Sequence, residues 1–327
     1  MVSVVVPTYN RAAVLPFLLD ALSRQVYPSS QHEVVVVDNS STDDTEEVIG
    51  RWRSVLPVEL RYYRKENRGP AASRNYGAAR ARGSIVAFTD SDCIPAPDWL
   101  ARAVRGFAQG ARIVCGPVVA RQRQGGPGLL AAQLDTIGAD RGTYPTANLM
   151  VRREAFHAVG GFDESFGLYR WGELIAGEDA DLAWRLKRDG AQVAFLNDVV
   201  VEHLATRIAF RHLMLRPMRA RVLPRLVRTI PELRKTFLWA GFFTSRARVY
   251  YYVAAAGLAA ALAFRSWVPL LAVLPWVISQ SRGTVMSLLG RGKVAKGLAW
   301  LLAIAWFETV TTVALLSGSA RYQRLVL

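Results

Sequence analysis

Asp90 and Asp92 stand one residue apart, separated by Ser91, directly after the apolar run 85–88. Carboxylate oxygens in this D-x-D spacing suit Mg²⁺ or Mn²⁺, and an ion held there can neutralise a bound diphosphate. A second acidic group, Gly177-Glu178-Asp179-Ala180-Asp181, leads into a stretch with helical spacing. Carboxylates at a helix start are favoured by the helix dipole, so capping accounts for them. One of them can equally take a proton from a hydroxyl as a general base. Two polar loops also follow apolar runs: Pro7-Thr8-Tyr9-Asn10-Arg11 after 2–6, and Asp38-Asn39-Ser40-Ser41-Thr42-Asp43 after 34–37. Taken singly, each is as readily an ordinary strand-to-helix loop as a ligand loop. His203, after Glu202, is a candidate metal ligand and equally a structural histidine.

The elements that position these groups follow from hydrophobic spacing. The runs 2–6, 34–37, 85–88 and 113–114 are short, apolar and rich in β-branched residues. Such runs suit strands buried on both faces of a mostly parallel sheet. Helical patterns alternate with them. Val14, Leu15, Leu18, Leu19 and Leu22 share one face, with Asn10 as the expected N-cap and Pro16 early enough to be tolerated. Asp43-Asp44-Thr45-Glu46 reads as a capping-box start. The stretch 71–82 reads as a helix stopped by Gly83, and 179–188 as one ending at Gly190. Short strands are expected at 193–195 and 199–201. A β-α-β-α-β order predicts an open α/β sheet. Ligands of such sheets bind beyond the carboxyl ends of the strands, where the polar loops lie.

Taken together the motifs are not independent. Pro7-Thr8-Tyr9-Asn10-Arg11, Asp38 to Asp43, Asn67-Arg68-Gly69-Pro70 with Arg74-Asn75, Asp90-Ser91-Asp92, Gly160-Gly161-Phe162-Asp163-Glu164, Gly177-Glu178-Asp179-Ala180-Asp181-Leu182 and Glu202-His203 occur in this order. The set resembles glycosyltransferase family 2, over about residues 2–205. The resemblance implies a GT-A fold, a Rossmann-like, mostly parallel sheet of the nucleotide-diphospho-sugar transferase type. It implies a nucleotide-sugar-binding half (1–110) and an acceptor half (111–205). On that analogy Pro7, Thr8, Tyr9, Asn10, Arg11 and Asp38 line the nucleoside pocket. Asn67, Gly69, Arg74 and Asn75 lie near ribose and diphosphate, with Asp90, Ser91 and Asp92 completing the donor site. Asp92, Asp90 and His203 ligate Mg²⁺ or Mn²⁺. Asp179 is the general base and Glu178 assists it, while Thr146, Asn148, Glu178 and Arg185 fall on the acceptor side.

The implied reaction is a single displacement with inversion, from a nucleoside-diphosphate sugar to an acceptor hydroxyl. A UDP-sugar is favoured, and GDP- or dTDP-sugars are compatible. Processive relatives carry a Gln-x-x-Arg-Trp element after the base. Here Arg170-Trp171 precedes Asp179 and Gly167 stands where the Gln would be, so one sugar per encounter is expected. A sugar-nucleotide pyrophosphorylase would carry a Gly-rich, basic loop in place of Pro-Thr-Tyr-Asn-Arg. The alternative from another class is a membrane scaffold with a degenerate transferase domain; the presence of Asp90, Asp92, Asp179 and His203 together argues against it.

Charge separates the chain into two parts. The net charge is +15, yet residues 203–327 hold 18 Lys and Arg against 2 Asp and Glu, so the basicity is C-terminal. That excess accompanies apolar runs at 249–264, 267–279 and 298–316, and such company favours an anionic membrane surface over nucleic acid. The run 298–316 is long enough to span and contains Glu308; the other two are short and separated by Arg265-Ser266. Residues 206–248 are expected to lie on the membrane surface as basic amphipathic segments, and 249–327 to form a transmembrane or re-entrant region. Basic stretches before 249 and at 282–296 favour a hairpin between them by the positive-inside rule. No signal sequence is expected at the start, which places the catalytic domain on the cytosolic face of the cytoplasmic membrane. This location suggests a lipid-linked or cell-envelope glycan acceptor. Cys93 and Cys115 carry no disulfide framework and no metal-site spacing.

Overall fold

The computed structural model describes residues 1–121, 138–140, 142–166, 177–204, 210–280 and 294–327. They form two compact units, Met1–Phe210 and Arg211–Leu327. The segment 167–171, and 282–293 of the basic loop, lie outside the described residues.

In the first unit β1 (Val2–Thr8) runs parallel to β2 (His32–Asp38) on one side and β4 (Ile85–Phe88) on the other. All residues of these three strands are buried, as their valine-rich runs require, and the polar Ser3 and Glu33 among them bond one another at 2.6 Å. β3 (Glu59–Arg64) adds in parallel at the edge of β2. Across β4 the sheet turns mixed: β8 (Leu149–Arg152) is antiparallel to both β4 and β6 (Ile113–Cys115), and β9 (Val193–Phe195) closes the far edge beside β6. The order is β3-β2-β1-β4-β8-β6-β9. The crossovers reverse direction at β1, leaving a crevice beyond the carboxyl ends of β1 and β4, the expected place for a ligand in an open α/β sheet. A second sheet, in the order β5-β10-β7, joins β5 (Cys93–Pro95), β10 (Val201–Leu204) and β7 (Val118–Arg121).

Helices α1 (Leu15–Ser23), α2 (Thr45–Arg53), α3 (Pro70–Arg80), α4 (Trp99–Ala108), α5 (Arg153–Ala158) and α6 (Glu178–Arg188) accompany the sheets. Leu15, Leu18 and Leu22 of α1, with Trp99 and Phe107 of α4, join Val4, Val6 and Val34 in one core. Four local expectations need correction. Asn10 does not cap α1, which starts at Leu15; it sits at φ +52 and accepts a hydrogen bond from Thr42 N at 2.8 Å. The α2 start is not a capping box: Asp43 accepts from Thr45 N and Oγ1, and the Glu46 carboxylate accepts from Arg64 at 2.9 Å. Gly83 lies past the end of α3, and its role is close approach: a Cβ there would come within 2.7 Å of the Met1 carbonyl. The strand expected at 199–201 is displaced to Val201–Leu204.

In the second unit the helix Arg246–Phe264 ends at Arg265, in the left-handed conformation at φ +48. The following turn Val268–Val273 and helix Leu274–Gln280 fold back on it, with the Tyr251 and Trp276 rings 6.1 Å apart. The long helix Val294–Tyr322 packs against the segments Arg216–Val222 and Leu223–Thr229. Among the described residues two helices, Arg246–Phe264 and Ala299–Tyr322, are long and apolar enough to cross a membrane; Val268–Ser279 is shorter. Leu262, Phe264, Trp267 and Leu302 are largely exposed on this unit.

Candidate active site

The loops after β1 and β2 are laced together before any ligand is considered. Asn10 N donates to Ser41 Oγ, Arg11 N to Thr45 Oγ1 and Ala12 N to Asp43 Oδ2. Asp38, at the end of β2, accepts from Ser41 N and Oγ through one oxygen and from Tyr62 Oη through the other, at 2.8 Å. Burial, and then the Asp38 carboxylate it bonds, raise the Tyr62 phenol. Pro7 and Thr8 are buried strand residues, and the Thr8 hydroxyl is enclosed without a partner. Tyr9 is exposed beside them, free to lie against a planar group. Asn67 accepts from Gly69 N at 3.1 Å and shapes the turn into α3.

β4 delivers Asp90, Ser91 and Asp92 to the same crevice. Asp92 is 7% exposed, with Nε2 of His203 at 3.5 Å from one oxygen and Nη2 of Arg11 at 3.6 Å from the other. Burial raises its pKa; the cationic form of His203 opposes this and Asp90 adds to it. Ser91 is buried. Side-chain ligand atoms of Asp90, Cys93 and His203 all lie within 4.8 Å of one another.

Arg74 ties this group to the second acidic cluster, 104 residues away in sequence. From α3 its Nη2 donates to Asp90 Oδ1 at 2.7 Å and its Nη1 to Glu178 Oε1 at 2.9 Å. Burial disfavours the guanidinium charge, but Asp90 and Glu178 outweigh it and raise the pKa. Its Nε has no partner. Gly177, at φ +124, makes the turn that starts α6 and donates its N–H to Glu178 Oε2. Asp179 follows, partly exposed, accepting from Ala180 N at 2.8 Å. Its pKa is raised well out of the carboxylate range by burial first and the neighbouring Glu178 second, against the pull of Arg74. A carboxylate shifted this way titrates nearer neutrality, where proton transfer is efficient.

Other residues singled out in the sequence are engaged in fastening the fold. The Asn75 amide accepts from Phe162 N and donates to Phe162 O and Glu164, pinning the turn at 160–164. Arg185 donates to Asp181 and to the carbonyls of Val159 and Gly161. Asn148 is fully enclosed, accepting from Trp99 Nε1 and donating to the carbonyls of Pro117 and Val199. Thr146 is buried in the same short turn. Two neighbours of the site are not among the sequence-predicted site residues: Tyr62, and Cys93, which the sequence reading sets aside for lack of metal-site spacing. Tyr62 lies three residues inside an edge strand that has no apolar alternation to announce it. Cys93 directly follows Asp92, and that adjacency was the available signal.

Sequence comparison agrees with the fold. The chain matches the family model described as Glycosyl transferase family 2 over residues 3–163, and one described as N-terminal domain of galactosyltransferase over residues 139–212. Glycosyltransferase AglE of Haloferax volcanii is 32% identical over 211 residues, covering 62% of this chain and 67% of that protein. Poly(ribitol-phosphate) beta-N-acetylglucosaminyltransferase TarS of Staphylococcus aureus is 39% identical over 90 residues, covering 28% of this chain and 16% of TarS. The chain thus spans two thirds of one relative and under a fifth of the other. Among solved structures, mannosyltransferase PcManGT from Pyrobaculum calidifontis, in complex with GDP-Man and Mn²⁺, superposes with a TM-score of 0.57 at 22% identity, over 98% of this chain and 86% of that one. At that identity the likeness speaks for the fold. Sequence, fold and site meet in one conclusion: the chain belongs to glycosyltransferase family 2, a hexosyltransferase of GT-A fold that uses a nucleotide-sugar donor.

Proposed function

We propose that the protein transfers one sugar, with inversion, from a nucleoside-diphosphate sugar to a hydroxyl of a lipid-linked or cell-envelope glycan. The observation that carries this reading is the Arg74 bridge, which holds the Asp90–Asp92 end of β4 and the Glu178–Asp179 start of α6 in one crevice. Asp38, Tyr9 and Arg11 bind the nucleoside side. Asp179 takes the proton of the acceptor hydroxyl as that oxygen attacks the anomeric carbon, and Glu178 keeps it poised. Arg74 sits where negative charge gathers on the departing diphosphate, although its charge is already shared between two carboxylates.

The donor set fits a divalent cation. Asp92 and His203 bring an oxygen and a nitrogen to within 3.5 Å, and Asp90 lies beside them. These three residues would hold Mg²⁺ or Mn²⁺, which when bound supplies neutralising charge to the diphosphate. The complex of PcManGT with GDP-Man and Mn²⁺ and that of TarS with UDP-GlcNAc support this class of donor and metal. The UDP-sugar is the favoured donor on the resemblance of Asp38 to the family's base-binding carboxylate, both oxygens of which are here engaged by Ser41 and Tyr62.

The exposed apolar helices of the second unit support membrane attachment; the cytoplasmic membrane, with the catalytic unit in the cytosol, is the location proposed from the basic flanks of those helices. The test is thermal stability of the detergent-purified protein with UDP-, GDP-, dTDP- and CMP-sugars, each with Mn²⁺ and with EDTA. One nucleotide is expected to raise the melting temperature only with metal; no shift with any sugar at millimolar concentration would overturn the donor site. In the same protein Asp179→Asn is expected to keep that shift while transfer falls by about 10²–10⁴-fold, the typical worth of a general base. Unchanged turnover would remove Asp179 from the role.

A further inference from the structure

Cys93 is a free, enclosed thiol that belongs to the core cluster of the first unit and directly follows the Asp90–Asp92 turn. The second sheet puts it there. β5 and β10 are antiparallel, and their register sets Cys93 directly opposite His203. Directly opposed residues of an antiparallel pair project to the same face with Cβ atoms about 5 Å apart. The turn before β5 closes with Cys93 N donating to the Asp90 carbonyl at 3.0 Å, so Asp90 is folded back over the same face. The outcome is a thiol, an imidazole and a carboxylate whose ligand atoms lie within 4.8 Å of one another. Arg74 engages Oδ1 of Asp90, and the other carboxylate oxygen is not used by that bridge.

We propose that Asp90, Cys93 and His203 form a thiophilic cation site, built into the donor site, that takes Zn²⁺ in preference to Mg²⁺ or Mn²⁺. Ligand distances of about 2.0 Å to nitrogen and oxygen and about 2.3 Å to sulfur require the three atoms to close to within roughly 4 Å. Cys93 is enclosed, so the closing falls to the part-exposed Asp90 and His203, with Asp90 using the carboxylate oxygen that the Arg74 bridge leaves over. Thiolate is a poor ligand for the hard Mg²⁺ ion and a good one for Zn²⁺, Cd²⁺ or Co²⁺. On binding, the thiol proton passes to solvent as the metal–sulfur bond forms and the ion sheds water; no electron is transferred. A soft ion held by Cys93 occupies Asp90 and His203, two of the residues assigned to the hard ion, and therefore blocks metal-assisted donor binding. Only this inhibitory consequence rests on the proposed function; the cation site itself does not.

The test titrates Co²⁺ and Zn²⁺ into the full chain in detergent, free of donor. A thiolate-to-cobalt charge-transfer band is expected at one ion per chain. Cys115 is the other cysteine of the two, so the band must survive Cys115→Ser, which assigns it to Cys93 even if Cys93 variants fold poorly. Cys93→Ser is expected to abolish the band and weaken Zn²⁺ binding more than about tenfold, since even outer partners of a metal site are worth about 10–100-fold. Absence of the band in the natural chain, or its loss in Cys115→Ser, overturns the proposal. If the band is absent while Mn²⁺-dependent donor binding is intact, this inference alone falls; if that donor binding is absent too, the proposed function falls with it.

Discussion

Each unit of the molecule buries an arginine against a glutamate, and the two pairs differ in what surrounds them. In the catalytic unit Arg74 and Glu178 are 5% and 8% exposed and 2.9 Å apart, and Asp90 takes the second guanidinium nitrogen. In the C-terminal unit Arg248 and Glu308 are 9% and 15% exposed and also 2.9 Å apart, but among the described residues no second carboxylate joins them. Arg248 is left with Nε and Nη1 unpartnered, against Nε alone for Arg74. Burying charges costs several kcal/mol per ion, and a pair recovers that only when the remaining hydrogen-bonding positions are filled. Arg74 is therefore held by a nearly complete network that orders two acidic loops. Arg248 and Glu308 neutralise one another between apolar helices, where an unpaired charge would be still more costly.

The largest expected effect comes from breaking the first pair. Arg74→Ala leaves Asp90 and Glu178 facing each other without their shared cation. Removing one partner of a buried pair typically costs about 3–5 kcal/mol. Chemical denaturation should show that loss, and transfer should fall with it, because both acidic loops lose their common anchor. Arg74→Ala with unaltered stability and donor binding would mean that the bridge is incidental.

The second pair should behave in the opposite way. Arg248→Met alone strands Glu308 and should destabilise the second unit. Arg248→Met together with Glu308→Leu removes both charges, and such exchanges are often neutral or stabilising by about 1–4 kcal/mol. The double variant, followed by thermal melting in detergent and by transfer assay, should keep its activity. A double variant as damaged as the single one would show that Arg248 and Glu308 do more than cancel each other.

The contrast also explains what was legible in the sequence. β1, β2 and β4 are buried on both faces, so they appear as runs of valine, isoleucine and phenylalanine that no other reading fits. The polar loops at their carboxyl ends were found for the same reason. β3 was missed because an edge strand of sequence Glu-Leu-Arg-Tyr-Tyr-Arg buries little. The second sheet consists of strands of three and four residues, too short for any period, and placing β10 two residues early hid the pairing of His203 with Cys93. The bridge from Arg74 to Glu178 has no local signature at all. Asn75 and Arg185 carry ligand-side roles on the family analogy, and their hydrogen bonds to the turn at 159–164 have no signature in the sequence.

The smallest effect tests how the bridge tunes the base. Asp179 is held above the ordinary carboxylate range by burial and by the negative charge of Glu178. Its ionised form is the one that accepts a proton, so transfer should rise with pH through that raised pKa. Glu178→Gln removes the neighbouring charge, makes ionisation of Asp179 easier and should move the acid limb to lower pH. Stability follows the same sign. The folded state keeps the Asp179 proton that the unfolded state has already lost, so stability declines as pH rises from the ordinary carboxylate range through the raised pKa. Asp179→Asn should flatten that decline, and Glu178→Gln should end it at lower pH. An acid limb that stays in place in Glu178→Gln while moving in a distant carboxylate variant would assign the limb to another group.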